Sequence, residues 1–260
     1  MQAIEKLLSK VNARRKEVYD WLEGQEKSWE LPLYSSVDIR DAGFKVAAVD
    51  TNLFPAGFNN LCEHGLEDSV TEIPKAVLER VPHCKNILIV AEEHTRNTWY
   101  LENVRILQNI IEKAGFHAVI ASFLKVEPPV CENVNYVELE TATGNPLRIY
   151  CIQKIAKRVE TGFMEFDLII MNNDLTSGIP EILKETKVPI YPSINAGWHS
   201  RQKSHHFKHT ADLVKEFSDI LEVDPWFFSS FNEVVDNVAI DTAGDRERLR
   251  DAADRLFQKI

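Results

Sequence analysis

The chain has 260 residues, of which 44% are hydrophobic and 27% are charged, as is typical of a folded globular protein. Its 40 acidic and 30 basic residues give a formal net charge of −10, which argues against a surface built to neutralise nucleic-acid phosphates or anionic lipid. Glycine and proline are too scarce for a collagen-like or low-complexity chain, and no apolar run approaches the ~20 residues needed to cross a bilayer.

The N-terminus and the cysteines indicate where the protein resides. Residues 1–15 are amphipathic and charged without a continuous apolar run, so they predict neither a secretory signal nor a membrane anchor. Cys62, Cys84, Cys131 and Cys151 lack CxxC spacing, which argues against a zinc ribbon or a redox motif. We therefore expect free thiols in a reducing cytoplasm.

The elements alternate in chain order. Apolar residues at helical spacing over residues 4–22 predict an N-terminal helix or helical pair. Nearly continuous apolar runs, typical of parallel strands buried on both faces, follow at residues 44–50, 86–92, 117–122, 166–172 and 188–193. Helical patterns lie between them at residues 73–80, 97–114 and 179–185. This alternation predicts an α/β fold of the Rossmann-like, doubly wound type, with a mostly parallel sheet and flanking helices.

Residues 136–153 depart from this alternation, because two β-rich runs flank a turn cluster at residues 143–146. They predict a local β-hairpin, as an insertion or at the sheet edge. Further helical patterns follow at residues 204–221 and from about residue 245. We expect three segments, namely a helical segment at 1–30, an α/β substrate-side domain at 31–222 and a helical segment at 223–260.

Polar residues follow the first, second and fourth strand-like runs. Ligands of an open parallel sheet bind outside the carboxyl ends of its strands, so these residues are candidates for substrate binding. They are Asp50, Asn52, Asn59, Asn60, Glu92, Glu93, His94, Arg96, Asn172, Asn173, Asp174 and Ser177. Acidic members suit an ammonium group, and His94 and Arg96 suit a carboxylate or phosphate. Turn formation and helix capping are the structural alternatives.

The fifth run is followed by the most distinctive stretch, residues 195–209, which holds four histidines, one arginine and two lysines. Such a basic stretch in an acidic protein suits phosphate or carboxylate groups. Its candidate catalytic residues are Arg201 and Lys203, and its candidate binding residues are Asn195, Trp198 and His205. His205 and His209 have the i, i+4 spacing of a metal pair, but the sequence offers no third ligand, so we expect no metal site here.

Four strings at these strand ends carry a family resemblance. They lie at residues 49–61, 91–104, 172–183 and 192–207 and read VDTNLFPAGFNNL, AEEHTRNTWYLENV, NNDLTSGIPEIL and PSINAGWHSRQKSHHF. The chain from about residue 30 onward resembles the small proteobacterial type of glutamate–cysteine ligase. That family joins the γ-carboxylate of glutamate to the amine of cysteine in the first step of glutathione biosynthesis.

The resemblance implies an ATP-grasp-like ligase, in which ATP and Mg²⁺ activate a carboxylate as an acyl phosphate that an amine attacks. Its small-molecule partners would be glutamate, cysteine and ATP. In that setting Glu92 and Glu93 would hold an ammonium group, and Arg96 and Arg201 would hold carboxylates. Lys203 or His205 would lie near the acyl phosphate.

The sequence lacks the GxxxxGK[ST], GxGxxG and GxSxG signatures, whereas members of the family continue into a glycine-rich nucleotide half. The chain is therefore expected to be the amino-terminal, substrate-side portion. Two alternatives remain open: a stand-alone module that binds an amino acid or phosphorylated metabolite without catalysis, and metal-dependent hydrolysis through the histidines. We expect no nucleic-acid or membrane partner, and the sequence leaves homo-oligomerisation open.

Overall fold

The structure is a computed structural model that describes residues 2–94, 96–123, 136–153, 165–197, 200 and 203–258, with side chains described from residue 4 onward. In chain order its helices are α1 (Gln2–Ala13), α2 (Arg15–Ser28), α3 (Glu63–Arg80), α4 (Thr98–Lys113), α5 (Glu181–Glu185), α6 (Lys203–Leu221) and α7 (Ala243–Gln258). Its strands are β1 (Ser36–Asp41), β2 (Val46–Asn52), β3 (Asn86–Ala91), β4 (His117–Ser122), β5 (Tyr136–Glu140), β6 (Pro146–Cys151), β7 (Leu168–Asn172) and β8 (Ile190–Tyr191). None of the helices described here is long and apolar enough to span a membrane.

The chain divides into two compact units. Unit 1 comprises residues 1–31, 36–52 and 201–260, and unit 2 comprises residues 32–35 and 53–200. The sequence predicted three consecutive segments instead, because chain order gives no sign that the N-terminal helices, the first strands and the C-terminal helices belong to one unit.

Unit 2 contains a six-stranded sheet in the order β5-β6-β4-β3-β7-β8. Every neighbouring pair is parallel except β5 and β6, which pair in antiparallel fashion with Val137 opposite Ile149. The prediction of a mixed α/β fold with a mostly parallel sheet and flanking helices is confirmed. The predicted hairpin is also confirmed, and it lies at one edge of the sheet.

The central strand β3 explains why the sequence showed continuous apolar runs. Alternate side chains of a strand face opposite sides of a sheet. Ile87 and Ile89 accordingly join a core cluster with residues of α3 and α4, whereas Leu88 and Val90 join a second cluster with Leu183 of α5. Because both faces are covered, nearly every residue of β3 must be apolar.

Helix α4 begins and ends as its sequence predicts. The Asn97 side chain accepts a hydrogen bond from the Tyr100 backbone N–H and caps the first turn. At the other end, Gly115 has a φ of +96°, a left-handed conformation that glycine adopts without strain. The cap at Asn97 places the first turn of α4 next to the carboxyl end of β3.

The prediction that residues 44–50 form a strand of the parallel sheet is wrong. They do form a strand, but β2 lies in unit 1 and pairs in antiparallel fashion with β1 in a two-stranded sheet. This partner strand could not be recognised from the sequence, because β1 reads SVDIRD and is exposed along nearly its whole length. A short apolar run alone does not distinguish a strand covered on one face from one buried on both.

The N-terminal helices of unit 1 pack against α6, as expected for an amphipathic helical pair. The Trp21 Nε1–H donates a hydrogen bond of 2.9 Å to Glu216, and the Trp21 ring lies 5.7 Å from that of Phe217. Arg14 forms an ion pair with Glu222 at the end of the same helix.

The cysteines only partly match the expected free thiols. Cys62 is an exposed free thiol and Cys84 a buried one. Cys151, buried at the end of β6, is disulfide-bonded, so the expectation of a free thiol is wrong there. Sequence spacing does not show which cysteines lie close in the fold, and Cys131 lies outside the described residues.

Candidate functional site

Two carboxylates meet where β3 and β7 end. These strands are parallel neighbours with Ala91 opposite Asn172, so the residues that follow them emerge at the same edge of the sheet. Glu92 Oε1 accepts a hydrogen bond of 2.7 Å from the Asp174 backbone N–H. The fold thus joins two candidate residues that are 82 positions apart in the chain.

The environment of Glu92 favours a cationic ligand. Burial raises the pKa of its half-buried carboxyl group, and the charge of Asp174 adds to that rise, while the Asp174 backbone N–H and His94 oppose it. An ammonium group beside Glu92 and Asp174 would relieve the repulsion between the two carboxylates. This pair therefore suits the amine of an amino acid better than it suits an anion.

The residues that directly follow Glu92 form an open cleft. Its cavity has a volume of about 300 Å³ and is lined by Glu93, His94, Arg96 and Asn97, all of them exposed. The His94 ring stands edge-on to Tyr100 at 5.6 Å. Such a volume suits a small ligand, and the Arg96 guanidinium suits a carboxylate.

Asn172 and Asn173 are buried beneath the site, at 2% and 6% exposure. The Asn172 Nδ2–H donates to the Pro55 carbonyl at 2.8 Å. The Asn173 side chain donates to the Ala91 carbonyl and accepts from the Leu175 backbone N–H. Both amides are thus hydrogen-bonded to the protein's own backbone, and they hold the strand ends in place.

The remaining candidates of unit 2 lie at other loops. Asn59 is half-buried and Asn60 exposed in a 3₁₀ helix at Phe58–Asn60, where the Asn59 Nδ2–H donates to Asn60 Oδ1 at 3.4 Å. Ser177 is exposed between β7 and α5, and Asn195 is exposed just after β8. No hydrogen bond in the described part of the chain connects these residues with Glu92.

Unit 1 holds a second group of candidates. Lys203 Nζ lies 3.1 Å from Asp50 Oδ2, which joins the start of α6 to the end of β2. Asn52 ends the same strand and His205 lies in the first turn of α6. The candidates Trp198 and Arg201 lie outside the described residues.

We expect Lys203→Ala to change the free energy of unfolding by less than about 1 kcal/mol, since exposed ion pairs contribute about that much or less. The side chains of Lys203 and Asp50 are 54% and 37% exposed. Urea denaturation of the variant and the parent chain checks this. A larger loss would show that Lys203 has a structural role and would weaken its assignment as a catalytic residue.

Two buried polar residues of α4 escaped the sequence analysis. The Tyr100 hydroxyl accepts a hydrogen bond of 2.7 Å from the Glu92 backbone N–H, and Asn103 Oδ1 accepts one of 2.9 Å from the Phe58 backbone N–H. The sequence signal that could have revealed them is Asn103, an asparagine that stands between Leu101 and Val104 on the apolar face of a helix. Buried polar side chains need partners, so such a residue indicates a hydrogen-bonded network.

The implied nucleotide would bring a metal ion that needs protein ligands. Within the described ranges, no group of three or more His, Cys, Asp or Glu side chains is placed to hold a metal ion. Mg²⁺ requires oxygen ligands, several of them commonly carboxylates or phosphates. A nucleotide-bound Mg²⁺ commonly takes one or two protein carboxylates beside its phosphate oxygens, so this finding excludes only an all-protein metal site among the described residues, and none of them is assigned to ATP–Mg²⁺.

The fold and its strand-end carboxylates define a mixed α/β protein with a polar cleft of amino-acid size. The chain belongs to the glutamate–cysteine ligase family, since the family model GshA, described as glutamate-cysteine ligase, matches residues 8–260.

The chain is also similar to a solved structure from Methylobacillus flagellatus KT, described as a "putative gamma-glutamylcysteine synthetase", with 30% identity and a TM-score of 0.82. The match covers 99% of this chain and 59% of that one, so this chain spans less than two thirds of its structural neighbour. No curated protein matches the sequence.

Proposed function

We propose that this chain is the amino-acid-binding portion of a glutamate–cysteine ligase. The overall reaction would join the γ-carboxylate of glutamate to the amine of cysteine and give γ-glutamylcysteine, in the cytoplasm. Family membership supports the reaction class. The observation that carries the assignment of the site is the contact between Glu92 and Asp174, with the residues that directly follow Glu92 lining an open cleft.

Each substrate charge has a counterpart among the residues of this chain. Glu92 and Asp174 would bind the ammonium group of glutamate, and Arg96 would bind its α-carboxylate. Partial burial of Glu92 would strengthen its attraction for the ammonium group, because the field is less screened there than in bulk water. The assignment of Lys203 and Arg201 to the negative charge that develops on an activated carboxylate rests on the sequence alone.

We propose that the nucleotide binds in a part of the family's length that this chain does not cover. The family resemblance implies ATP, Mg²⁺ and an acyl phosphate of the ATP-grasp type, and the described residues include no group of three or more potential metal ligands. We therefore propose that this chain is the amino-terminal, substrate-side portion, consistent with its coverage of 59% of the solved neighbour. No reaction step through the nucleotide is assigned to its residues.

We expect Glu92→Gln and Arg96→Ala each to weaken glutamate binding by ten-fold or more. Each removes a charged group whose hydrogen bond contributes about 1.5 to 3 kcal/mol, and every 1.4 kcal/mol is about ten-fold in affinity. Isothermal titration of the 260-residue chain with glutamate and then with cysteine measures this. Glu138→Gln and Arg148→Ala are the matched controls, because they remove the same charges from an exposed ion pair on the β5–β6 hairpin.

The outcomes separate the proposal from its alternative. Glutamate binding that survives Glu92→Gln and Arg96→Ala undiminished would place the site elsewhere. Formation of γ-glutamylcysteine from glutamate, cysteine and ATP–Mg²⁺, by a longer protein that contains these residues, would support the ligase. Amino-acid binding without product in every form of the protein would support the stand-alone binding module.

A further inference from the structure

Asn103 is a buried amide whose two polar atoms are both in use. Its side chain has 0% exposure on the apolar face of α4. Oδ1 accepts the hydrogen bond from the Phe58 backbone N–H, and Nδ2–H donates to Asn172 Oδ1 at 3.3 Å. Reversing the amide would place donor against donor and acceptor against acceptor, so its orientation is fixed. Asn103 thereby links residues 53–60 to the end of β7.

Tyr100 and Asn172 extend this network to the candidate site. The Tyr100 hydroxyl donates to the Asn172 backbone carbonyl at 2.9 Å while it accepts from the Glu92 backbone N–H. Asn172 also donates to the Pro55 carbonyl. The network is therefore continuous from residues 53–60 through α4 and β7 to the residue that carries the candidate carboxylate.

The cost of this arrangement argues for a role besides stability. Removing one partner of a buried hydrogen bond leaves the other unsatisfied, whereas an apolar core at the same place would need no such matching. The network instead holds residues 53–60 and the end of β7 in relative positions that hydrogen-bond distances define. Binding and catalytic groups need positioning within about 0.5 Å to act.

We propose that Asn103 and Tyr100 are positioning residues for the ammonium-binding site. They hold Glu92 and residues 53–60 in fixed positions relative to the end of β7. Both residues would act through the backbone N–H groups of Phe58 and Glu92, from which they accept hydrogen bonds. The part of the inference that concerns glutamate rests on the proposed function. The part that concerns the backbone can be measured without any ligand.

The first experiment is amide hydrogen exchange on the full chain. Asn103→Leu should speed exchange at the Phe58 amide by about ten-fold or more, and Tyr100→Phe should do the same at the Glu92 amide. Asn109→Leu is the control, because it makes the same substitution on the same helix at a half-buried position outside the network. Unchanged exchange at both Phe58 and Glu92 would overturn the inference.

The second experiment measures glutamate affinity against stability. Tyr100→Phe should weaken glutamate binding by five-fold or more with its ring still in the core. Val77→Ala, a cavity variant in the buried face of α3, lowers stability outside the network and should leave the affinity unchanged. Equal weakening in both variants would mean that Tyr100 acts only through stability, which contradicts a positioning role.

The two experiments separate the failure of this inference from the failure of the proposed function. Absence of glutamate binding by the parent chain would reject the proposed function, while the exchange rates at Phe58 and Glu92 would still decide whether the network positions these segments. Faster exchange together with unaltered glutamate affinity would reject the positioning role and leave the proposed function standing.

Discussion

Glu102→Gln is expected to lower the free energy of unfolding by about 3 kcal/mol at pH 7, because the buried Glu102 carboxylate loses charge-assisted hydrogen bonds, among them those from the half-buried Arg105. The carboxylate is 3% exposed and accepts hydrogen bonds from Arg105 Nε at 3.1 Å and from the Thr143 hydroxyl at 2.7 Å. Urea denaturation measures the loss. Glu138→Gln is the control, since it disrupts an exposed ion pair and should change the stability little.

The pH dependence of the stability loss in Glu102→Gln tests whether this loss is electrostatic. Burial acts to raise the pKa of Glu102, but hydrogen bonds from Arg105, Thr141 and Thr143 outweigh it and lower the pKa from 4.5 to about 2. A carboxyl group with a lowered folded-state pKa stabilises the fold above the unfolded-state value and loses that contribution as the pH falls through the folded-state value.

The stability difference between the parent chain and Glu102→Gln should therefore be complete above about pH 4.5 and should shrink between pH 4.5 and 2, following the pKa of Glu102. Denaturation curves at a series of pH values measure it. A difference that stays constant down to pH 2 would show that Glu102 contributes through packing and not through its charge.

Glu102 also illustrates what the sequence could and could not predict. The turn cluster at residues 143–146 predicted the hairpin correctly, because turn residues between two β-rich runs act locally. That Thr143 would donate to a carboxylate on α4 depends on where the hairpin docks. Local patterns carry no information on docking, so this contact required the structure.

The strands show the same division between local and distant information. The run from Ile87 to Val90 predicted a strand buried on both faces, and the structure confirms it. The run at residues 44–50 has a similar local pattern, yet it pairs with the exposed strand β1 in the other unit. Pairing depends on the partner strand, and β1 lacked the apolar alternation by which a strand is recognised.

The candidate site was predictable as a set of loops but not as a set of contacts. The rule that ligands bind at the carboxyl ends of parallel strands selected the loops after β3 and β7, and the structure brings these two loops together. The order β3-β7 in the sheet, which brings Glu92 to Asp174, could not be read from a chain in which β4, β5 and β6 intervene. Tyr100 and Asn103 were not predicted because they lie on the helix that covers the strand ends and not in the loops that follow the strands.

Ile170→Ala is the second variant with a large expected effect, a loss of about 2 to 5 kcal/mol in the free energy of unfolding. Ile170 is 0% exposed in β7 and belongs to the same core cluster as Ile89 and Leu107 of α4. Truncation would leave a cavity that neighbouring strands cannot fill. Ile170→Val, which removes a single methyl group, should cost only about 0.5 to 1.5 kcal/mol, and urea denaturation of both variants checks the ratio.

This variant also tests how far the site depends on the core beneath it. Ile170 and Asn172 are two residues apart in one strand, so their side chains face the same side of the sheet, towards α4. The polar network around Asn172 is therefore a continuation of the apolar layer around Ile170. If hydrogen bonds and not core packing set the position of Glu92, glutamate affinity should stay within about two-fold in folded Ile170→Ala, although its stability falls. A loss of affinity as large as that of Tyr100→Phe would show instead that the core layer itself positions the site.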